Sequence, residues 1–124
     1  MKISRILNVA ACGLALCSAQ VMAELPDPLA AGWEGEAVCE KLHETDDVRI
    51  LRCTFPPGVG HEKHYHPRHF GYAVSGGSMK ITDASGTRVA ELATGSYFSS
   101  DGIAWHEGLN VGETTVAYLM IEPK

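Results

Sequence analysis

From residue 37 onward, short apolar and β-branched runs are separated by turn residues, and no stretch carries the three-to-four spacing of an amphipathic helix. The pattern predicts strands over 37–42, 48–55, 70–75, 78–82, 87–92, 97–99, 104–109 and 114–122. The breaks between them hold Pro56-Pro57-Gly58, Gly76-Gly77, Asp83 to Gly86, Thr94-Gly95, Asp101-Gly102 and Gly112. Strands this short and evenly spaced argue for one all-β sandwich or barrel. In the run 48–55, Val48 and Ile50 alternate with Leu51, Cys53 and Phe55, which suggests burial on both faces. In 69–75, His69, Gly71, Ala73 and Ser75 share one face, and Phe70, Tyr72 and Val74 share the other. If the first face points inward, its small residues leave room for a ligand, while the larger set packs outside against a second sheet or a partner subunit.

The first 23 residues follow a different plan. Lys2 and Arg5 precede an apolar run from Ile6 to Cys17, and Val21-Met22-Ala23 offers a small-residue cleavage site. This is the layout of a secretory signal, too short to span a bilayer comfortably. Val9-Ala10-Ala11-Cys12 is a weaker match to a lipoprotein cleavage site. The expected organisation is therefore a signal at 1–23, an irregular Pro- and Gly-rich leader at 24–36 and a β-domain at 37–124, periplasmic or secreted and free of the membrane once processed. Removing Lys2 and Arg5 leaves eight basic against fifteen acidic residues, so nucleic acid is not an expected partner. Of the four cysteines, Cys39 and Cys53 remain after processing. They read equally as a disulfide permitted by an oxidising compartment and as two buried thiols.

Chemistry concentrates in one segment. Four of the six histidines lie in His61-Glu62-Lys63-His64-Tyr65-His66-Pro67-Arg68-His69. On an extended segment His64 and His66 share a face, and neutral imidazole is a good ligand for zinc, copper, iron and nickel. Pro67 favours an extended His66 and a strand ending there, which places the ligands at a rim. His61 and His43 are poorer candidates.

With the strands and histidines placed, the chain resembles a small single-domain cupin. The first cupin motif runs glycine, five residues, histidine, one residue, histidine, three or four residues, glutamate, six residues, glycine. Gly58, His64 and His66 fall in register, and Tyr72-Ala73-Val74-Ser75-Gly76 resembles its end. The second runs glycine, five residues, proline, one residue, glycine, two residues, histidine, three residues, asparagine. Gly95, His106 and Asn110 keep that spacing, with Asp101 and Ile103 in place of the proline and second glycine. The resemblance implies a double-stranded β-helix, or jelly-roll, barrel with metal ligands at His64, His66 and His106. Counting back from Gly76 puts His69 where the family has glutamate, which gives a site of His64, His66, His69 and His106, with Glu62 as the fallback carboxylate. An imidazole in place of a carboxylate favours zinc, iron, nickel or copper over manganese.

The resemblance also implies a small-molecule ligand or substrate and a homodimer, but not one activity, because this fold hosts dioxygenases, isomerases, lyases and plain binders. The leading expectation is an exported metal-binding cupin, as an enzyme a metal-dependent dioxygenase or isomerase; the alternative is a non-catalytic metal or ligand-binding or structural module. Glu62, Glu107 and Tyr97 are the candidate acid/base groups. Trp105 is expected to face away from the ion, into the core or at a subunit contact, Asn110 to tie down a turn, and Tyr97 and Phe98 to pack in the core or wall a pocket.

Overall fold

The computed structural model describes Gly13 and residues 24–124; the remainder of the signal expected at 1–23 lies outside the described residues. Among the described residues, eleven strands follow one another without a helix: β1 (Gly32–Trp33), β2 (Glu36–Ala37), β3 (Cys39–Glu44), β4 (Val48–Phe55), β5 (Gly60–His66), β6 (His69–Ser75), β7 (Gly77–Asp83), β8 (Gly86–Leu92), β9 (Tyr97–Ser100), β10 (Ile103–Asn110) and β11 (Val116–Pro123). They form a four-stranded sheet ordered β5-β10-β7-β8 and a five-stranded sheet ordered β3-β4-β11-β6-β9, beside the small β1-β2 ribbon. All pairings in both large sheets are antiparallel. The two sheets form the jelly-roll barrel that the strand pattern and motifs implied.

Alternation drives the packing. Leu51, Cys53 and Phe55 of β4 are buried between the sheets, while Arg52 and Thr54 point to solvent. Across the sheet, Val116 and Met120 of β11 join them, and Met79 of β7 closes the core from the opposite side. Val48 and Ile50 are only half-buried, so the outer face of β4 is not a second core. On β6 the sidedness follows the sequence expectation: His69, Gly71 and Ala73 are buried, and Phe70, Tyr72 and Val74 are exposed.

Three further expectations are corrected. The leader at 24–36 is not merely irregular: a turn at Pro28–Ala30 leads into β1, and the Glu34-Gly35 turn, with positive φ at both residues, closes the ribbon. The Trp33 ring lies so close to Gly60 that a Cβ there would come within 2.7 Å of it, and the Pro26 carbonyl accepts a hydrogen bond from the Tyr65 amide at 3.1 Å. The segment thus straps β5 from outside. Next, Trp105 faces away from the imidazoles as expected but does not enter the core; it is half-buried with the Lys63 ammonium 4.1 Å from its ring centroid. Finally, the strand placed at 37–42 runs two residues later, over Cys39–Glu44.

Asn110 ties down a turn, as expected. Its amide donates to the carbonyls of Phe55 and Thr114, each at 2.8 Å, and its Oδ1 accepts from the Gly112 amide at 2.9 Å. Cys39 and Cys53 form a disulfide between directly opposed positions of β3 and β4. Arg49 bridges Asp27 and Glu122, both at 2.6 Å, and so fastens the strap to β4 and β11.

Candidate metal centre

Two irregularities in the β5–β10 pairing build the site. His106 pairs with His64 and Gly108 with His61, so β5 has one residue more than β10 between these pairs. Such a bulge breaks the alternation and turns both His61 and His64 inward. Between Ile103, paired with His66, and His106, paired with His64, the extra residue is on β10, which turns both Ile103 and His106 inward. After His66 the chain leaves the four-stranded sheet through Pro67-Arg68, and it enters the five-stranded sheet at His69. His64, His66 and His106 therefore share one sheet, and His69 belongs to the other.

The Nε2 atoms of His64, His66 and His106 lie 2.9, 2.8 and 3.1 Å from one another. Three nitrogens bound to one ion at about 2.0–2.1 Å and at right angles would be about 2.9 Å apart, so the triangle suits a single transition-metal ion. His64 donates through Nδ1–H to the Glu62 carbonyl at 2.6 Å, which leaves its Nε2 with a lone pair. His66 Nδ1 and His69 Nε2 are buried without a hydrogen-bond partner.

His69 is brought close but does not join the three-way group, whose donor atoms all lie within 4.8 Å of one another. Its ring centroid is 4.7 Å from that of His66, and its Nδ1–H donates to the Pro67 carbonyl at 2.8 Å. Its Nε2 is thereby a free acceptor. The fallback carboxylate is not in the site: Glu62 is exposed and accepts from the Glu34 amide at 3.0 Å, because the bulge overrides the parity it would share with His64. Glu107 and Tyr97 are also exposed, so neither candidate acid/base group faces the imidazoles. His43 is exposed on β3. His61, a poor candidate from spacing, is buried with its ring 3.7 Å from that of His64, and its Nε2–H donates to the Pro28 carbonyl at 3.0 Å. It braces the His64 ring.

Beside the imidazoles lies a cavity of about 300 Å³ whose wall includes His61, His66 and His106. The rest is mostly apolar, with Phe55, Met79, Ile81, Leu92, Phe98 and Met120. Its polar groups outside the imidazoles are Arg88 and Tyr118, and sequence reasoning singled out neither. The alternation of β11 carried a signal for Tyr118, since it shares the parity of Val116 and Met120. The room expected above Gly71 is taken by the Phe98 ring, which a Cβ on Gly71 would meet at 2.5 Å. Phe98 is thus a pocket wall, set edge-on to His69 with ring centroids 5.6 Å apart.

A profile of the cupin domain matches residues 51–122, over half of the chain. The chain belongs to the cupin family. Solved structures agree on the fold: a cupin domain from Bordetella pertussis superposes with a TM-score of 0.66 at 19% identity, over 70% of this chain and 92% of that one. A polyketide cyclase, RemF, from Streptomyces resistomycificus gives 0.57 at 19% identity, over 77% and 73%. A predicted oxalate decarboxylase from Thermotoga maritima gives 0.52 at 19% identity, over 67% and 76%. No curated protein matches the sequence. In this cupin the first motif spans the turn before β5 through the end of β6, and the second spans β9 and β10.

Burial and mutual repulsion keep the imidazoles neutral. Burial, aided by the neighbouring His64, pushes His61 down to about 3; burial, with His64 and His69 nearby, pushes His106 down to about 4. His66 is lowered by burial and by His106 and His64, and His64 by burial. An unfolded chain takes up these protons near pH 6.5, whereas the folded one refuses them. Stability of chelator-treated protein is therefore full above pH 6.5 and falls as pH drops towards 4. Each unit of depression corresponds to about 1.4 kcal/mol, so the expected loss by pH 4 is on the order of a few kcal/mol for each such histidine. Urea titrations at pH 7, 5.5 and 4.5 check this; a flat profile down to pH 5 would contradict it.

Proposed function

We propose that this cupin is exported, holds one divalent transition-metal ion and binds or transforms a small organic molecule in the adjoining cavity. His64, His66 and His106 hold the ion, and His69 supplies a fourth imidazole. The observation that carries the reading is the triangle of three Nε2 atoms, 2.8 to 3.1 Å apart, on the wall of an apolar cavity. A purely structural metal centre is closed and coordinatively full, whereas a functional one keeps a position open to a ligand. The cavity favours the second. An all-imidazole set suits zinc, iron, nickel or copper better than manganese.

When bound, the ion would supply Lewis-acid polarisation of a ligand oxygen, as in a metal-dependent isomerase, or, if it is iron, nickel or copper, the redox chemistry of a dioxygenase. The protein's own part is to present neutral imidazoles, brace His64 through His61 and keep an apolar wall against the ligand. Two proteins of the same fold are named as a polyketide cyclase and a predicted oxalate decarboxylase, which supports small organic molecules as the ligand class. Export is supported by the charged and apolar segments of residues 1–23 and by the Cys39–Cys53 disulfide, which suits an oxidising compartment such as the periplasm. Homodimerisation is supported by the exposed aromatic face that carries Phe70, Tyr72 and Tyr97.

Elemental analysis of protein purified from its native compartment, with the mass of the mature chain, tests the proposal. The expected result is about one transition-metal ion per chain and an N-terminus at Glu24. Protein free of metal when isolated without chelators would overturn the metal reading, and an intact Met1 would overturn export.

A further inference from the structure

The cavity wall is chemically one-sided. Away from the imidazoles it is built of Phe55, Met79, Leu92, Phe98 and Met120, with two polar side chains among them. Arg88 is engaged by Asp83 at 2.7 Å, and its side chain is 55% exposed, so it marks the solvent end and is not a free cation inside. Tyr118 is different. It sits opposite Cys53 and Ala73 on the neighbouring strands, both buried, and so projects between the sheets. It is partly buried and lines the cavity, and no hydrogen bond among the described residues involves its hydroxyl.

Three ligand properties follow. A sugar would surrender many water contacts against a wall that returns almost none, and a polar group buried without a partner is disfavoured. A dry apolar cavity of about 150 Å³ takes a benzene, so one of about 300 Å³ takes a one- or two-ring molecule. A phenol inside the barrel without a partner donates to an incoming acceptor, and burial, which pushes Tyr118 up to about 12, keeps its proton in place.

We infer that the cavity selects an uncharged, ring-sized apolar molecule carrying a hydrogen-bond acceptor, and that Tyr118 donates to that acceptor. The inference rests on the small-molecule reading above and narrows it. It makes Tyr118 a binding and specificity residue on the sheet facing the three-imidazole group, so that one ligand would be held from both sides.

The test uses 2-naphthol, followed by its own fluorescence, on the protein as purified, with metal content measured on the same samples. Saturable binding that D-glucose does not compete is expected. Tyr118→Phe, which keeps the ring, should weaken 2-naphthol about five- to tenfold with metal content unchanged, and should leave naphthalene, which lacks the oxygen, unaffected. Ala90→Leu, which grows into the cavity from β8, should weaken both aromatic probes at least tenfold. Failure of metal-replete protein to bind 2-naphthol, or competition by glucose, overturns the ligand class and leaves the metal centre standing. Unchanged 2-naphthol affinity in Tyr118→Phe overturns the role of Tyr118. Metal-free protein that still binds 2-naphthol through Tyr118 supports this inference while it overturns the metal reading.

Discussion

Replacing His106 with alanine is expected to reduce bound transition metal from about one ion per chain to a trace. Removing even an outer-shell partner of a ligand typically costs 10- to 100-fold in affinity, so deleting one of three converging imidazoles should cost more than about 100-fold. His106 is the informative position because it is the member of the group that comes from β10, while His64 and His66 both come from β5. If the two distant segments hold one ion, neither can hold it alone. His69→Ala should have an intermediate effect, roughly tenfold, because its free Nε2 lies outside the tight triangle. His43→Ala, on an exposed position of β3, should change nothing. Competition with a chelator of known affinity, read by elemental analysis, ranks all four proteins. Equal metal content in His106→Ala and the unchanged protein would remove the basis for the proposed centre.

The same residues show why the barrel was legible in the sequence and parts of the site were not. Strict alternation at Leu51, Cys53 and Phe55, and again at His69, Gly71 and Ala73, is a period-two signal that survives folding unchanged. Pro67 ended β5 at His66 because proline cannot continue the ladder. Parity failed where the ladder is bulged. A residue inserted at Glu62-Lys63 sends Glu62 outward and His61 inward, and no local composition announces that insertion. The small face of β6 misled in another way: alternation placed Gly71 inward, but only the β6–β9 pairing reveals that Phe98 fills the space above it. Tyr118 was overlooked because an aromatic residue on a core strand normally packs, and only the cavity shows that it faces open volume.

Removing the Cys39–Cys53 disulfide is expected to lower stability by about 3 kcal/mol and leave metal content intact. The bond closes a loop of sequence separation 14, and in the chain-entropy model a cross-link over a loop of that length contributes about 3 kcal/mol by restricting the unfolded chain. For a domain of this size that corresponds to a fall in melting temperature of roughly 10–20 °C. The loss should be felt unevenly. β3 is the edge of the five-stranded sheet and pairs only with β4, so amide exchange should accelerate first along β3. The tight imidazole triangle sits on β5 and β10 of the other sheet, so its geometry does not depend on β3. The nearest link is His61, whose Nε2 is 4.0 Å from Cys39 Sγ, and that ring stays anchored by the Pro28 carbonyl. Cys39→Ala/Cys53→Ala protein, compared with the oxidised form by urea denaturation, hydrogen exchange and elemental analysis, separates the two effects. An unchanged denaturation midpoint would mean that the cross-link restrains little in the unfolded chain, and loss of metal would mean that the disulfide, through His61, supports the ligand set.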